Sequence, residues 1–266
     1  MLLNEGRVDA MRFTNSFPLC LWFGLLGVSC PRPMSAQGRA TPPEKPIWAK
    51  NAIALDLSCG GRRSVIHAPD HLTSVWTLCQ EVDGDSVASG LEVVTANGYR
   101  HELPLRAGAN ELLWAPNSKS FFVNGGESGY AGFFIDVYQL MDSGRVVMRA
   151  VTNAAQKDMV SSFPPCKAWN RGEVECARVS RDPEYNMSGL GWSASSSSVY
   201  VFAEVPCSSS YGGIMCQVHG YELSVPDGRI LRRLSAQETK KEWGALAAWK
   251  ISVPEPPEYG PAHATW

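Results

Sequence analysis

Leu91–Leu105 reads LEVVTANGYRHELPL, and its apolar residues alternate with polar ones on both sides of Asn97-Gly98. Alternation is the period of a strand with one buried face, and Asn-Gly accepts the positive φ angles of a tight hairpin turn. Two antiparallel strands joined by a short turn are therefore expected here. The same grammar continues outward through Glu111–Val123 (ELLWAPNSKSFFV), Phe133–Leu140 (FFIDVYQL), a turn at Asp142-Ser143-Gly144, and Arg145–Val151 (RVVMRAV). A mainly β chain follows.

The order then returns. Gly189–Val205 (GLGWSASSSSVYVFAEV) precedes Gln217–Val225 (QVHGYELSV), a turn at Pro226-Asp227-Gly228, and Arg229–Leu234 (RILRRL). Trp114 matches Trp192, Phe121 matches Val199, Tyr138 matches Tyr221, Leu140 matches Leu223, and Gly144 matches Gly228. The offset grows from 78 to 84 residues, which assigns the second copy a longer central loop carrying Cys207 and Cys216. Each copy is followed by a polar stretch compatible with a helix, Thr152–Phe163 and Ser235–Trp249. The reading is an internal repeat, with copies at about 91–163 and 165–249 inside a single β-rich domain over 48–250.

At the two tryptophans the chain resembles the WD40-like repeat of TolB-type β-propellers, whose blades carry a Trp-Ser-Pro-Asp-Gly-Lys core. Trp114-Ala115-Pro116-Asn117-Ser118-Lys119 keeps the Trp, Pro and Lys, with Asn for Asp; Trp192-Ser193-Ala194-Ser195 keeps the Trp and Ser. The resemblance implies propeller-like antiparallel sheets with short helices, and it would suit a part in a larger envelope assembly. A two-sheet β-sandwich is the alternative. A blade takes about 40–45 residues, so the spacing implies either a degenerate blade within 152–188 or a unit larger than a blade. Residues 48–250 have room for about five blades.

Phe17–Ser29 is an uncharged apolar run after Arg12, with small residues following, which is the layout of a signal peptide and too short to span a bilayer. Glu5 and Asp9 suit a positive leader poorly, and MRFTNS from Met11 makes the better opening. Cleavage after Ala36 would leave residues 1–36 as the signal peptide, 37–47 as a Pro-rich linker and 251–266 as a flexible Pro-rich tail. Gly27-Val28-Ser29-Cys30 also resembles a bacterial lipoprotein signal, so Cys30 is the alternative lipid anchor and the one route to the membrane. A periplasmic or secreted protein is expected.

Composition narrows the function. At 44% apolar and 19% charged the chain can build a core, which excludes disorder throughout. A formal charge of −2 supplies no reservoir of cations to displace the counterions of a nucleic acid, so that class of partner is excluded.

Beyond the signal region six cysteines remain, and in an exported chain an even number reads as disulfides, with fifteen connectivities open. Cys166 and Cys176 flank KAWNRGEVE, and Cys207 and Cys216 flank SSSYGGIM; both inserts contain Gly and could reverse a strand pair. Those two bridges leave Cys59–Cys79 by elimination. No two cysteines are separated by two residues as a structural zinc site requires, and no cofactor is expected.

Three places could carry chemistry or contacts. His67-Ala68-Pro69-Asp70-His71 concentrates two imidazoles and a carboxylate, a metal or proton-transfer set; Pro69 disfavours the helix that would align them, so a polar turn capped by Asp70 is the plainer reading. The glycine-rich loop Asn124–Gly132 lacks the features of a phosphate loop and of a hydrolase elbow, leaving Glu127 and Tyr130 as binding contacts. Trp169, between Cys166 and Cys176, is a candidate contact anchor. The serine runs read as turns. With no complete catalytic motif, the sequence points to a non-catalytic binding or interaction protein of the bacterial envelope, with an envelope protein or glycan as partner. The alternative is an exported hydrolase, which would gather His67, Asp70, His71 and His219 or Glu127 into one pocket.

Overall fold

Strands alternating with reverse turns build three consecutive four-strand meanders. In the computed structural model, the described residues are 47–57, 59, 64–126, 132–161, 185–205 and 217–253, all within one compact unit. The first sheet runs β2 (Val65–His67), β3 (Ser74–Val82), β4 (Asp85–Val94) and β5 (Arg100–Pro104). The second runs β6 (Ala109–Trp114), β7 (Ser120–Gly126), β8 (Phe133–Leu140) and β9 (Val146–Arg149), with short β1 (Ile53–Ala54) added beside β6. After α1 (Asn153–Ser161), the third runs β10 (Asn186–Trp192), β11 (Ser198–Glu204), β12 (Val218–Ser224) and β13 (Ile230–Ser235), and α2 (Ala236–Trp243) follows. Every pairing is antiparallel.

The protein is mainly β with short helices, as the alternation requires. Three sheets stand where the sandwich alternative has two. The hairpin at Leu91–Leu105 belongs to one sheet with β2 and β3, so the first meander begins at Val65 and not at Leu91. Its turn spans Ala96, Asn97 and Gly98: Gly98 N donates to Thr95 O, Thr95 N donates to Tyr99 O, and Gly98 alone takes the positive φ, +78°. Of the span 152–188 offered for a further blade, 153–161 is helix and 186–192 is β10; 162–184 lies outside the described residues.

Register corrects two matches, Tyr138 with Tyr221 and Leu140 with Leu223. Tyr138 pairs with Phe121 and Leu223 pairs with Val199, so Leu223 is the counterpart of Tyr138. Tyr221, opposite Val201, corresponds to Asp136, opposite Val123. The sequence match had slipped by two residues, a shift that leaves side chains on the same face.

One turn occurs three times. Ala115 N donates to Ser120 O and Ser118 N to Ala115 O; Ser193 N donates to Ser198 O and Ser196 N to Ser193 O. Ala68 N donates to Thr73 O and His71 N to Ala68 O in the same pattern, and His71, Ser118 and Ser196 all have φ close to +60°. His67–Thr73 is therefore the first copy of the turn that follows Trp114 and Trp192, with His67 in place of the tryptophan.

The sheets stack face to face. Val75, Leu91 and Val93 of the first sheet meet Leu112, Trp114, Phe121 and Tyr138 of the second. Phe122, Ile135 and Val137 on the other face meet Met187, Val199, Val201 and Tyr221 of the third, with Ala155 and Met159 of α1. The outer face of the third sheet is covered by Trp243 and Ile251, with Trp243 stacked on Tyr200 at 4.9 Å. A capping box between Ser235 and Glu238 starts α2 where that cover is needed.

A buried carboxyl group ties the parts together. Glu111, fully buried on β6, accepts from Ile47 N (2.7 Å), Trp48 N (3.1 Å), Ala49 N (2.8 Å) and Asn124 Nδ2 (2.8 Å). The same strap reaches the end of the fold through the Ala49–Ala247 bridge. Four donors satisfy a group whose burial would otherwise cost several kcal/mol, roughly.

Candidate functional site

In an antiparallel meander the first and third turns lie at the same end of the sheet, and hydrogen bonds between sheets show that all three meanders share that end. Asp70 N donates to Ser118 Oγ (3.0 Å) and Asn117 N donates to Ser196 Oγ (3.0 Å), linking each turn to the next. Six turns therefore emerge together, at residues 68–73, 95–99, 115–120, 141–145, 193–198 and 224–229. Leu72, Tyr99 and Met141 stand on this end, 66%, 58% and 39% exposed. Tyr99 of the first sheet lies against Gly144 of the second, where a β-carbon would come within 2.9 Å of the ring. Lys119 Nζ and Asp142 Oδ1 form an exposed pair at 3.2 Å, and Asp227 is held below the usual carboxylate range by the Ser224 hydroxyl and the Arg229 N–H. The surface combines apolar and aromatic side chains with a polar surround.

The histidine cluster belongs to this end as a turn. Asp70 Oδ1 accepts from Leu72 N at 2.9 Å and Thr73 N at 3.4 Å, so this oxygen caps the local backbone of the turn. The rings of His67 and His71 are exposed and 6.3 Å apart. Among the described residues, no group of three or more His, Cys, Asp or Glu side chains is placed to hold a metal. His219 does not join them: it pairs with Ala203 and Ser235 near the opposite end of the third sheet.

A second cluster gave no sign in the sequence. Tyr221 Oη donates to Asp158 Oδ2 at 2.6 Å, Arg233 Nε contacts the same oxygen at 3.0 Å, and Arg233 Nη2 sits 3.2 Å from His219 Nε2. Burial pushes the Tyr221 hydroxyl up, reinforced by its bond to Asp158. Burial and then Arg233 hold His219 below the ordinary imidazole range, so Nε2 is free to accept from the guanidinium. These groups fasten α1 to the third sheet. Asp158 lies 63 residues from Tyr221, so no local motif could have announced the contact. Between the first two sheets, the Arg106 guanidinium lies 4.0 Å over the Phe134 ring, while burial pushes Asp136 up and Tyr138 up to about 12. The depression along α1 is lined by Asn153, Gln156, Lys157, Val160 and Ser161, with no carboxyl, imidazole or thiol group among them.

Cys59 and Cys79 form a disulfide, with Cα atoms 5.9 Å apart, which belongs to an oxidising compartment. Cys166, Cys176, Cys207, Cys216, Cys30, Glu127, Tyr130 and Trp169 lie outside the described residues. Among the described residues, no helix is long and apolar enough to cross a membrane. Compared with family models, curated proteins and solved structures, the chain matches none.

Proposed function

We propose that this chain is an exported, non-catalytic binding or interaction protein of the bacterial envelope, whose propeller-like scaffold presents the six-turn end to an envelope protein or glycan. The observation that carries the reading is the exposure of Leu72, Tyr99 and Met141 on that one end. Export is supported by the apolar run Phe17–Ser29 and by the Cys59–Cys79 bridge. Propeller-like construction is supported by three consecutive four-strand meanders, each opened by the same turn, together with the TolB-like residues at Trp114 and Trp192.

The test compares the wild type with the double variant L72S/Y99S on immobilised beads challenged with envelope extract, and in parallel on an array of envelope glycans. One protein or glycan retained by the wild type and lost from an equally stable variant is the expected result. Equal retention by both would sink the assignment of the turn end. Cell fractionation with and without Cys30→Ser then separates a released protein from a lipid-anchored one.

A further inference from the structure

We propose that the first sheet, β2–β5, opens as a unit separate from the rest of the stack, and that the Cys59–Cys79 disulfide is the latch that holds it shut. Two seams built from the same repeat differ in how they are fastened. At the seam between second and third sheets, Asn124 bonds both the N–H and the C=O of Gly189, each at 2.8 Å, and Trp192 Nε1 donates to Leu113 O at 3.2 Å. At the seam between first and second sheets, the register puts Thr77 in the place of Asn124 and Trp114 in the place of Trp192. Both side chains are more than nine-tenths buried, yet Thr77 Oγ1 and Trp114 Nε1 have no protein partner, and neither does His101 Nε2 on the same sheet. Of the three polar fastenings, only the turn bond recurs, from Asp70 N to Ser118 Oγ.

The latch sits where those fastenings are missing. Cys59 follows β1, which is paired to β6 of the second sheet, and Leu55 N donates to Asn110 O at 2.8 Å. Cys79 lies on β3 of the first sheet. The bond therefore adds a covalent tie between a segment docked on the second sheet and the middle of the first. A dithiol reductant would supply two electrons and two protons: the S–S bond breaks, Cys59 and Cys79 each become a thiol, and the reductant closes its own disulfide. Leu72 and Tyr99 belong to the first sheet and Met141 and Gly144 to the second, so opening would divide the exposed turn end. That consequence rests on the binding reading above; the opening itself does not.

Hydrogen exchange of the full chain tests it, read by mass spectrometry for the oxidised protein and for C59S/C79S. In the variant, amides of Trp76–Leu78 and Leu91–Val93 are expected to lose at least about tenfold in protection, while Phe122–Asn124 and Val199–Val201 keep theirs. Loss in all three sheets together, or no loss in the first, overturns the proposal. A second variant, Thr77→Val in the oxidised chain, removes a buried hydroxyl without a partner and is expected to raise protection of the first sheet alone by severalfold. Unchanged or lowered protection there would mean that the first seam is not the weak one. Because neither variant touches Leu72, Tyr99 or Met141, failure of the turn end to bind anything leaves this readout intact.

Discussion

The two seams of the stack are both lined by large apolar side chains, but they are closed in different ways. Between the second and third sheets the backbones come close: a β-carbon on Gly189 would lie 2.7 Å from Ile135 Cδ1 and 2.9 Å from Phe122 Cζ. Side-chain amide and indole groups then bond directly to the neighbouring backbone. Between the first and second sheets, aromatic rings fill the space, with Trp114 against Phe121 at 4.8 Å and Phe121 stacked on Tyr138 at 5.0 Å. Apolar contact is non-directional and tolerates a loose fit, whereas paired polar groups fix one geometry and penalise any other. The second seam is specified; the first is filled. The chain-entropy account gives a disulfide closing a loop of this size about 3 kcal/mol, an amount comparable to the fastenings the first seam lacks.

Substitutions that strip the second seam should therefore cost most. Asn124→Leu removes both bonds to Gly189 and one donor to Glu111, and is expected to destabilise by about 3–5 kcal/mol in urea unfolding, the range for breaking a buried polar network. A loss below about 1 kcal/mol would erase the contrast between the seams. Gly189→Ala forces Ile135 and Phe122 apart and should cost about 1–3 kcal/mol, with a matching fall in Tm. Phe122→Leu in the same chain, by making room, should recover part of it.

A smaller effect separates the tryptophans. Trp192→Phe deletes a bond to Leu113 O and should cost about 1 kcal/mol more than Trp114→Phe, where the indole N–H has nothing to lose. Equal costs would show that the bond to Leu113 adds nothing. The smallest effect is acid sensitivity at the root of α1, whose Ala155 and Met159 line only the second seam. His219 takes up its proton less readily in the folded chain than in the unfolded one. Stability is therefore full above the unfolded imidazole value near 6.5 and falls as pH drops below it, by less than about 1 kcal/mol because the group is partly solvated. Unfolding midpoints from pH 7.5 to 5 should show a shallower slope in His219→Gln; an unchanged slope would remove His219 as the cause.

Alternation made the strands readable, and Phe133–Leu140 has the same bounds in the sequence and in β8. The turn after Trp114 and Trp192 was readable for its tryptophan and serine or proline. Its third copy was hidden because His67 stands where an aromatic anchor was sought, although Ala68-Pro69-Asp70 parallels Ala115-Pro116-Asn117. The polar turn capped by Asp70 was legible from Pro69 and Asp70, whereas the positive φ at His71, which makes it a copy of the other two turns, has no signature in a histidine. Glu111 and Asn124 were beyond reach for a different reason. In an alternating strand a polar residue reads as solvent-facing, and beyond their bond to each other their partners lie 62 to 65 residues away, so only the assembled stack reveals them as interior.

Asn124 has one more effect, on the outside world. Among the described strands β10 is the terminal one of its sheet, and a terminal strand turns a row of backbone groups away from its neighbour. By occupying both hydrogen-bonding groups of Gly189, one carboxamide imitates a peptide unit of a neighbouring strand and withdraws the middle of that edge from lateral growth. The residue that locks two sheets together within the molecule thus also leaves an incoming strand no backbone partner at Gly189.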